Sequence, residues 1–199
     1  MNNTLSDFFK NNELNVPIWF LRQSGRHIPE YFKLRNQENN FVDFCLNTEL
    51  VVKSTKLPLK YYDLDAAIVF SDILMIPWAV DRKVDFIKGI GPQLEPMIPD
   101  ETQILKNINI FNKLRPLKDS ISILRNQLPQ SKSLIGFAGA PWTLACYMIE
   151  GQSSKDFINT RKALWNSNKW FMDLLDTLSI YVAEKLEMQA CAGADVLMI

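Results

Sequence analysis

Histidine is almost missing from this sequence: His27 stands alone among 199 residues. Cysteine is nearly as sparse, with Cys45, Cys146 and Cys191 set far apart and no C-x-x-C pair. So few soft ligands argue against a zinc site built from this chain, and no metal is expected. An odd, scattered cysteine set fits a reducing compartment better than a disulfide framework. Net charge is lacking too. Lys plus Arg and Asp plus Glu both total 22, so neither a nucleic-acid nor a membrane-surface partner is expected. The opening MNNTLSDFFK has neither the basic start nor the apolar core of a secretory signal. No apolar run approaches the roughly 20 residues a membrane span needs. The cytoplasm is the expected location.

What is present is a globular composition, 47% hydrophobic and 22% charged, enough for one sizeable core and a single domain over residues 1–199. Four short apolar runs stand out: Val16 to Leu21, Ala66 to Phe70, Leu134 to Phe137 and Val196 to Ile199. Each is nearly continuous rather than alternating, as in strands buried on both faces of a parallel sheet. Helical spacing fills the intervals. Between Asn168 and Ala190, Leu174, Leu175, Leu178, Val182 and Leu186 form one stripe, and Gly193 follows where a helix would stop. Glu101 to Leu128 reads as a helix interrupted or kinked at Pro116, and Glu38 to Tyr62 as one or two helices. Trp78 to Pro99 carries Gly and Pro around Val-Asp-Phe-Ile and reads as a hairpin set off the main sheet. Alternating strands and helices predict an α/β fold with a parallel sheet, for which a doubly wound sheet and a (β/α)8 barrel both fit. No G-x-G-x-x-G follows a strand, which weakens the dinucleotide-binding version. The apolar run at Val196 would leave an unpaired edge as a terminal strand, so the chain is expected to be incomplete.

Ligands of parallel α/β folds bind where strands finish. After the first run come Arg22-Gln23-Ser24-Gly25-Arg26, after the second Ser71-Asp72, and after the third Ala138-Gly139-Ala140, then Tyr147. Two arginines around a glycine that permits a sharp turn suit a substrate bearing several carboxylates. Asp72, ionised, is an acceptor for N–H groups or a holder of an arginine. Each has a plainer alternative. Arginines at strand ends also make structural salt bridges, an Asp there also caps a helix or serves as a turn residue, Tyr147 is also good core with its hydroxyl satisfied by backbone, and Gly139 an ordinary turn residue. His27 reads as a surface or packing residue.

Pro17-Ile-Trp-Phe-Leu-Arg-Gln-Ser-Gly-Arg26 resembles the signature P-x-W-x-M-R-Q-A-G-R of the uroporphyrinogen decarboxylase family, departing at Leu21 and Ser24. His27-Ile-Pro-Glu-Tyr31 resembles the Y-L-P-E-[FY] that continues it, with His for Tyr. Asp65 to Leu74 is similar to the family's second motif, and Gly136 to Gly151 to its third. The motifs run in the family's order from about Val16 onward.

That resemblance implies a (β/α)8 TIM barrel, of which this chain supplies roughly the first four βα units as an incomplete N-terminal half. It implies a carboxy-lyase of haem biosynthesis that converts the four acetate side chains of uroporphyrinogen III to methyl groups, giving coproporphyrinogen III. No cofactor is implied, because the pyrrole itself serves as electron sink. Asp72 would accept pyrrole N–H groups, and Arg22 and Arg26 would bind carboxylates, Arg22 also being a candidate proton relay. Tyr147 would orient the reacting acetate, Gln23 would support the Arg loop at the substrate, and Phe137 and Gly139 would line the cleft. The tetrapyrrole is the expected partner, with a homodimer for the full-length protein and no activity for the isolated 199 residues. A cobalamin-linked methyltransferase of the same superfamily is the rival reading, and a non-catalytic remnant the other.

Overall fold

A computed structural model describes Leu5, Phe8, Phe9 and residues 16–103 and 105–199. The chain forms two compact units. One comprises Met1–Asp72, Arg115–Phe137 and Leu186–Ile199; the other comprises Ile73–Leu114 and Ala138–Lys185.

The first unit is built on a parallel sheet of β1 (Ala66–Ile68), β4 (Ser133–Phe137) and β5 (Val196–Met198), in that order. Ala67 pairs with Leu134, and Gly136 with Leu197. Alternation along each strand gives the sheet two unlike faces. Ala67, Val69 and Leu134 on one face are almost wholly buried. On the other, Ala66 and Ile135 form a cluster with Leu5, against which Trp19, Ile68, Val196 and Met198 lie only partly buried.

Three helices precede β1: α1 (Pro29–Arg35), α2 (Phe41–Leu46) and α3 (Thr48–Lys56). Pro29 starts α1, where a missing N–H costs nothing. The side chains of Asn40 and Asn47 cap α2 and α3, accepting from Asp43 N–H and Leu50 N–H. These helices bury Tyr31, Phe44, Leu50 and Leu57 around Phe41 and Phe70. Phe44 and Phe70 meet edge to face at 5.2 Å, and the Arg35 guanidinium lies 5.6 Å from the Phe41 ring centre.

The run at Val16 is not a strand: residues 16–20 have no regular structure, although the apolar pattern predicts one. The reason lies in who satisfies the edge of β1. Pro17 has no N–H to give. Ile18 is held by Asp65 alone, its N–H donating to the carboxylate at 2.7 Å and its C=O accepting from Asp65 N–H at 2.9 Å. Val16, Ile18, Phe20 and Leu21 are all exposed.

In the second unit, α4 (Met75–Ala79) leads into an antiparallel hairpin of β2 (Val84–Ile87) and β3 (Gly91–Leu94), separate from the parallel sheet as expected. Gly89 and Gly91 take φ values of 85° and 106° at its turn. Helix α5 (Ile110–Gln127), which belongs to the first unit from Arg115 onward, begins later than its periodicity predicts and runs through Pro116 uninterrupted. Residues 101–103 instead fall in a 3-10 turn at Pro99–Gln103, and residues 105–109 are turn and loop. Their backbone is tied elsewhere, because the Tyr181 hydroxyl accepts from Ile108 N–H and donates to Leu105 C=O. Proline inside a helix costs about 3 kcal/mol. The stripe Ile110, Leu114, Leu117, Ile121 and Leu124, almost completely buried, offsets that at about 1.5–3 kcal/mol per large side chain. Then come α6 (Pro141–Glu150), α7 (Ile158–Trp165) and α8 (Lys169–Cys191). Gly151 ends α6 at φ 73°, and Gly193 follows α8 at φ 109°.

Candidate functional site

In the first unit, Arg22 and Arg26 flank a buried Gln23 and are themselves exposed. The Gln23 amide donates to Ala66 C=O at 2.8 Å and accepts from Ile68 N–H at 3.1 Å. Those are the two groups a residue facing Ala67 on a neighbouring parallel strand would use. A side-chain amide thus stands in for a peptide group on the edge of β1, and the main chain that carries the two arginines need not join the sheet. Among the described residues neither arginine enters an ion pair, so the salt-bridge alternative is not what the structure has. Gly25 is not required for the turn. Its φ is ordinary, a Cβ there would meet nothing nearer than His27 Nδ1 at 3.8 Å, and the turn closes through Ile28 N–H to Gly25 C=O. His27 is exposed, its ring 6.3 Å from that of Tyr62. Ser24 Oγ and Ser71 Oγ are shut off from solvent without a hydrogen-bond partner among the described residues.

Asp72 follows β1 by way of Phe70 and Ser71 and is half-buried. Its position is set upstream. Phe70 N–H donates to Thr55 Oγ1 at 2.8 Å, Thr55 in turn donates to Val51 C=O within α3, and the Phe70 ring is locked among Tyr31, Phe41 and Phe44. The N-cap position of α4, which starts at Met75, is held by Leu74 rather than Asp72. Burial pushes the Tyr31 hydroxyl above its ordinary range, opposed by the charges of Arg35 and Arg26.

Phe137 closes β4. The last ladder bond from β1 runs from Val69 N–H to Ile135 C=O. Two residues on, Phe137 N–H donates to Gln189 Oε1 at 2.8 Å and its C=O accepts from Gln189 Nε2 at 3.0 Å. Sequence reasoning passes over Gln189, which lies 52 residues away on a helix. The one signal for it is Gly136, where a Cβ would stand 2.6 Å from Gln189 Oε1.

In the second unit, Gly139 is buried and leaves no room for a side chain, since a Cβ would stand 2.8 Å from Leu144 Cδ2 and 3.0 Å from Ile73 Cβ. Tyr147 is half-buried on α6, its hydroxyl without a hydrogen bond to any described residue. Glu150, the last residue of α6, accepts from Thr160 N–H at 2.9 Å and Thr160 Oγ1 at 3.1 Å, and so caps α7. Burial pushes the Cys146 thiol up.

Among the described residues no three His, Cys, Asp or Glu side chains are gathered to hold a metal ion, and no helix is long and apolar enough to cross a membrane.

The family model for uroporphyrinogen decarboxylase (URO-D) matches residues 2–199. A uroporphyrinogen decarboxylase of Maricaulis maris is 42% identical over 183 residues, covering 92% of this chain and 53% of that protein. One of Rickettsia felis is 41% identical over 190 residues, covering 96% and 55%. The chain therefore spans about half the length of the curated relatives it matches. Among solved structures, a methyltransferase from Methanosarcina mazei aligns with a TM-score of 0.69 at 14% identity, over 94% of this chain and 54% of that one. At that identity the likeness is one of fold.

Proposed function

The chain belongs to the uroporphyrinogen decarboxylase family, and from that membership we propose that the full-length protein removes carbon dioxide from the four acetate side chains of uroporphyrinogen III. The product is coproporphyrinogen III. The observation that carries this reading is the Arg22 to Arg26 loop: two exposed guanidinium groups, unpaired among the described residues, on a segment pinned to β1 by Gln23. Planar, bidentate donors free of protein carboxylates fit a substrate carrying several of its own.

The chemistry follows from the substrate. A proton added to the ring carbon bearing the acetate makes the pyrrole cationic. The bond to the carboxylate then breaks, carbon dioxide leaves, and the bonding pair moves into the ring system. A second proton adds to the exocyclic carbon to complete the methyl group, and the first proton then leaves the ring carbon, which restores the neutral pyrrole. In this reading Asp72 accepts the pyrrole N–H groups and stabilises the cationic ring. Arg22 and Arg26 hold carboxylates. Arginine, with a pKa above about 12, is a poor acid, so a water paired with a substrate carboxylate competes with Arg22 as the proton source. Tyr147 orients the acetate, while Gln23, Phe137 and Gly139 support and line the site. The pyrrole is its own electron sink, so no cofactor enters.

The same reading makes the fold the N-terminal part of a (β/α)8 barrel of roughly eight strands. Sequential parallel order and the half-open face with Trp19, Ile68 and Met198 support it. It assigns residues 1–199 to one barrel domain, puts the activity in the full-length chain rather than these residues alone, and expects a cytoplasmic homodimer.

The test is anaerobic incubation of the full-length protein with uroporphyrinogen III, without added metal or cofactor, followed by chromatography of the oxidised porphyrins. Products that lose one carboxyl group at a time until four remain are expected. Well-folded protein giving no product would overturn the reading and favour methyl transfer.

A further inference from the structure

The geometry points to Gln189 as a positioning residue for the substrate-lining end of β4. It is 1% exposed, and both ends of its amide bond the main chain of Phe137. β1 no longer pairs with β4 at that point. Without Gln189, the N–H and C=O of Phe137 would lose these two bonds, and the strand end, still paired with Met198 of β5, would be less firmly held on the β1 side. The neighbouring residue is shaped for the same contact, because Gly136 has no Cβ and one would stand 2.6 Å from Gln189 Oε1 and 3.1 Å from its Cδ. Gly136 and Gln189 therefore work as one device, a gap and the amide that fills it. The result is a fixed orientation for the half-buried Phe137 ring, which alternation places on the same sheet face as Ile135.

The same device holds the Arg loop. Gln23 uses its amide on Ala66 and Ile68 as Gln189 uses its own on Phe137. Two buried glutamines thus bond main-chain N–H and C=O groups with their side-chain amides, on segments that carry candidate substrate contacts. Gln189 touches no reacting atom, and its effect passes through Phe137.

This inference rests on the decarboxylase reading, and the experiment separates the two. Steady-state kinetics with uroporphyrinogen III are compared for full-length wild type, Gln189→Met, Gly136→Ala and the control Ser122→Ala, which removes a hydrogen bond to Ala192 C=O. Methionine keeps the length of glutamine and loses both bonds, while alanine at position 136 evicts the amide without altering it. We expect KM to rise about tenfold in both clamp variants with kcat changed by less than about threefold, and Ser122→Ala to match wild type. Wild type without activity would remove the decarboxylase reading. Active wild type with KM unchanged in folded Gln189→Met, or in Gly136→Ala if the former does not fold, would overturn the positioning role. Failure of both to fold would also overturn it, leaving Gln189 a folding residue only.

Discussion

Asp65 and Asp195 grip the segment beside them in the same way. Asp65 accepts from Ile18 N–H at 2.7 Å and donates its own N–H to Ile18 C=O at 2.9 Å; Asp195 does the same to Leu134, at 2.7 and 2.8 Å. Each stands one residue before a strand. Asp195 also pairs with Arg125, which donates to the C=O groups of Leu128, Pro129 and Lys132. Asp195→Ala leaves Leu134 N–H without its acceptor and takes the carboxylate from Arg125, and is expected to cost about 2–3 kcal/mol, against about 1 kcal/mol for Asp65→Ala at the more open Ile18 contact. Urea denaturation of the two variants checks the order, and a larger loss for Asp65→Ala would overturn the ranking by burial.

Asp72→Ala is expected to remove almost all decarboxylase activity in the full-length protein, because it deletes the anionic acceptor. Asp72→Glu keeps one and should retain part. Product formation from uroporphyrinogen III is the measurement, and equal rates across wild type and both variants would end the assigned role.

Tyr147→Phe should reduce kcat/KM about tenfold, roughly one hydrogen bond. Its hydroxyl has no described protein partner to lose, so thermal stability should hold. A drop in melting temperature with unchanged kinetics would make it a packing residue.

Ser24→Ala restores the residue of the family signature and removes a buried hydroxyl without a partner. A gain of up to about 1 kcal/mol is expected from urea denaturation. A loss would mean that the hydroxyl is bonded in solution.

Thiol labelling at about pH 7–8 should modify Cys191 first, since it is exposed while Cys45 and Cys146 are buried. Burial raises the Cys146 pKa, only partly opposed by the Thr160 hydrogen bond, so less of it is thiolate than of an ordinary cysteine. The sign for stability follows. The contribution of the neutral thiol is fully present below the ordinary thiol pKa and is lost as pH rises through the raised one. Labelling of Cys146 at the rate of Cys191 in folded protein, followed by mass spectrometry, would contradict its burial.

The alternation of apolar runs with helical spacing was readable along the chain because each element declares itself over five to twenty residues of local pattern. So were the hairpin around Gly89 and Gly91, the stop at Gly193 and the motifs bearing Arg22, Arg26, Asp72 and Tyr147, all local signals. Where pattern misled, a non-local partner was responsible. The apolar stretch from Val16 looked like a strand, but its regularity depended on whether β1 would accept a main-chain neighbour, and Gln23 takes that place with its side chain. The helix expected from Glu101 starts at Ile110 because Tyr181, more than seventy residues away, binds the intervening backbone. Gln189 carried no local mark at all. A glutamine on a helix is ordinary until folding brings Gly136 and Phe137 to it, since a buried peptide group must find some partner but nothing in its own sequence names which one. The sequence by itself determined the kinds of element and the chemistry on the loops. Only the tertiary structure decided which side chains hold those loops in place, because those bonds form between groups that only folding makes neighbours.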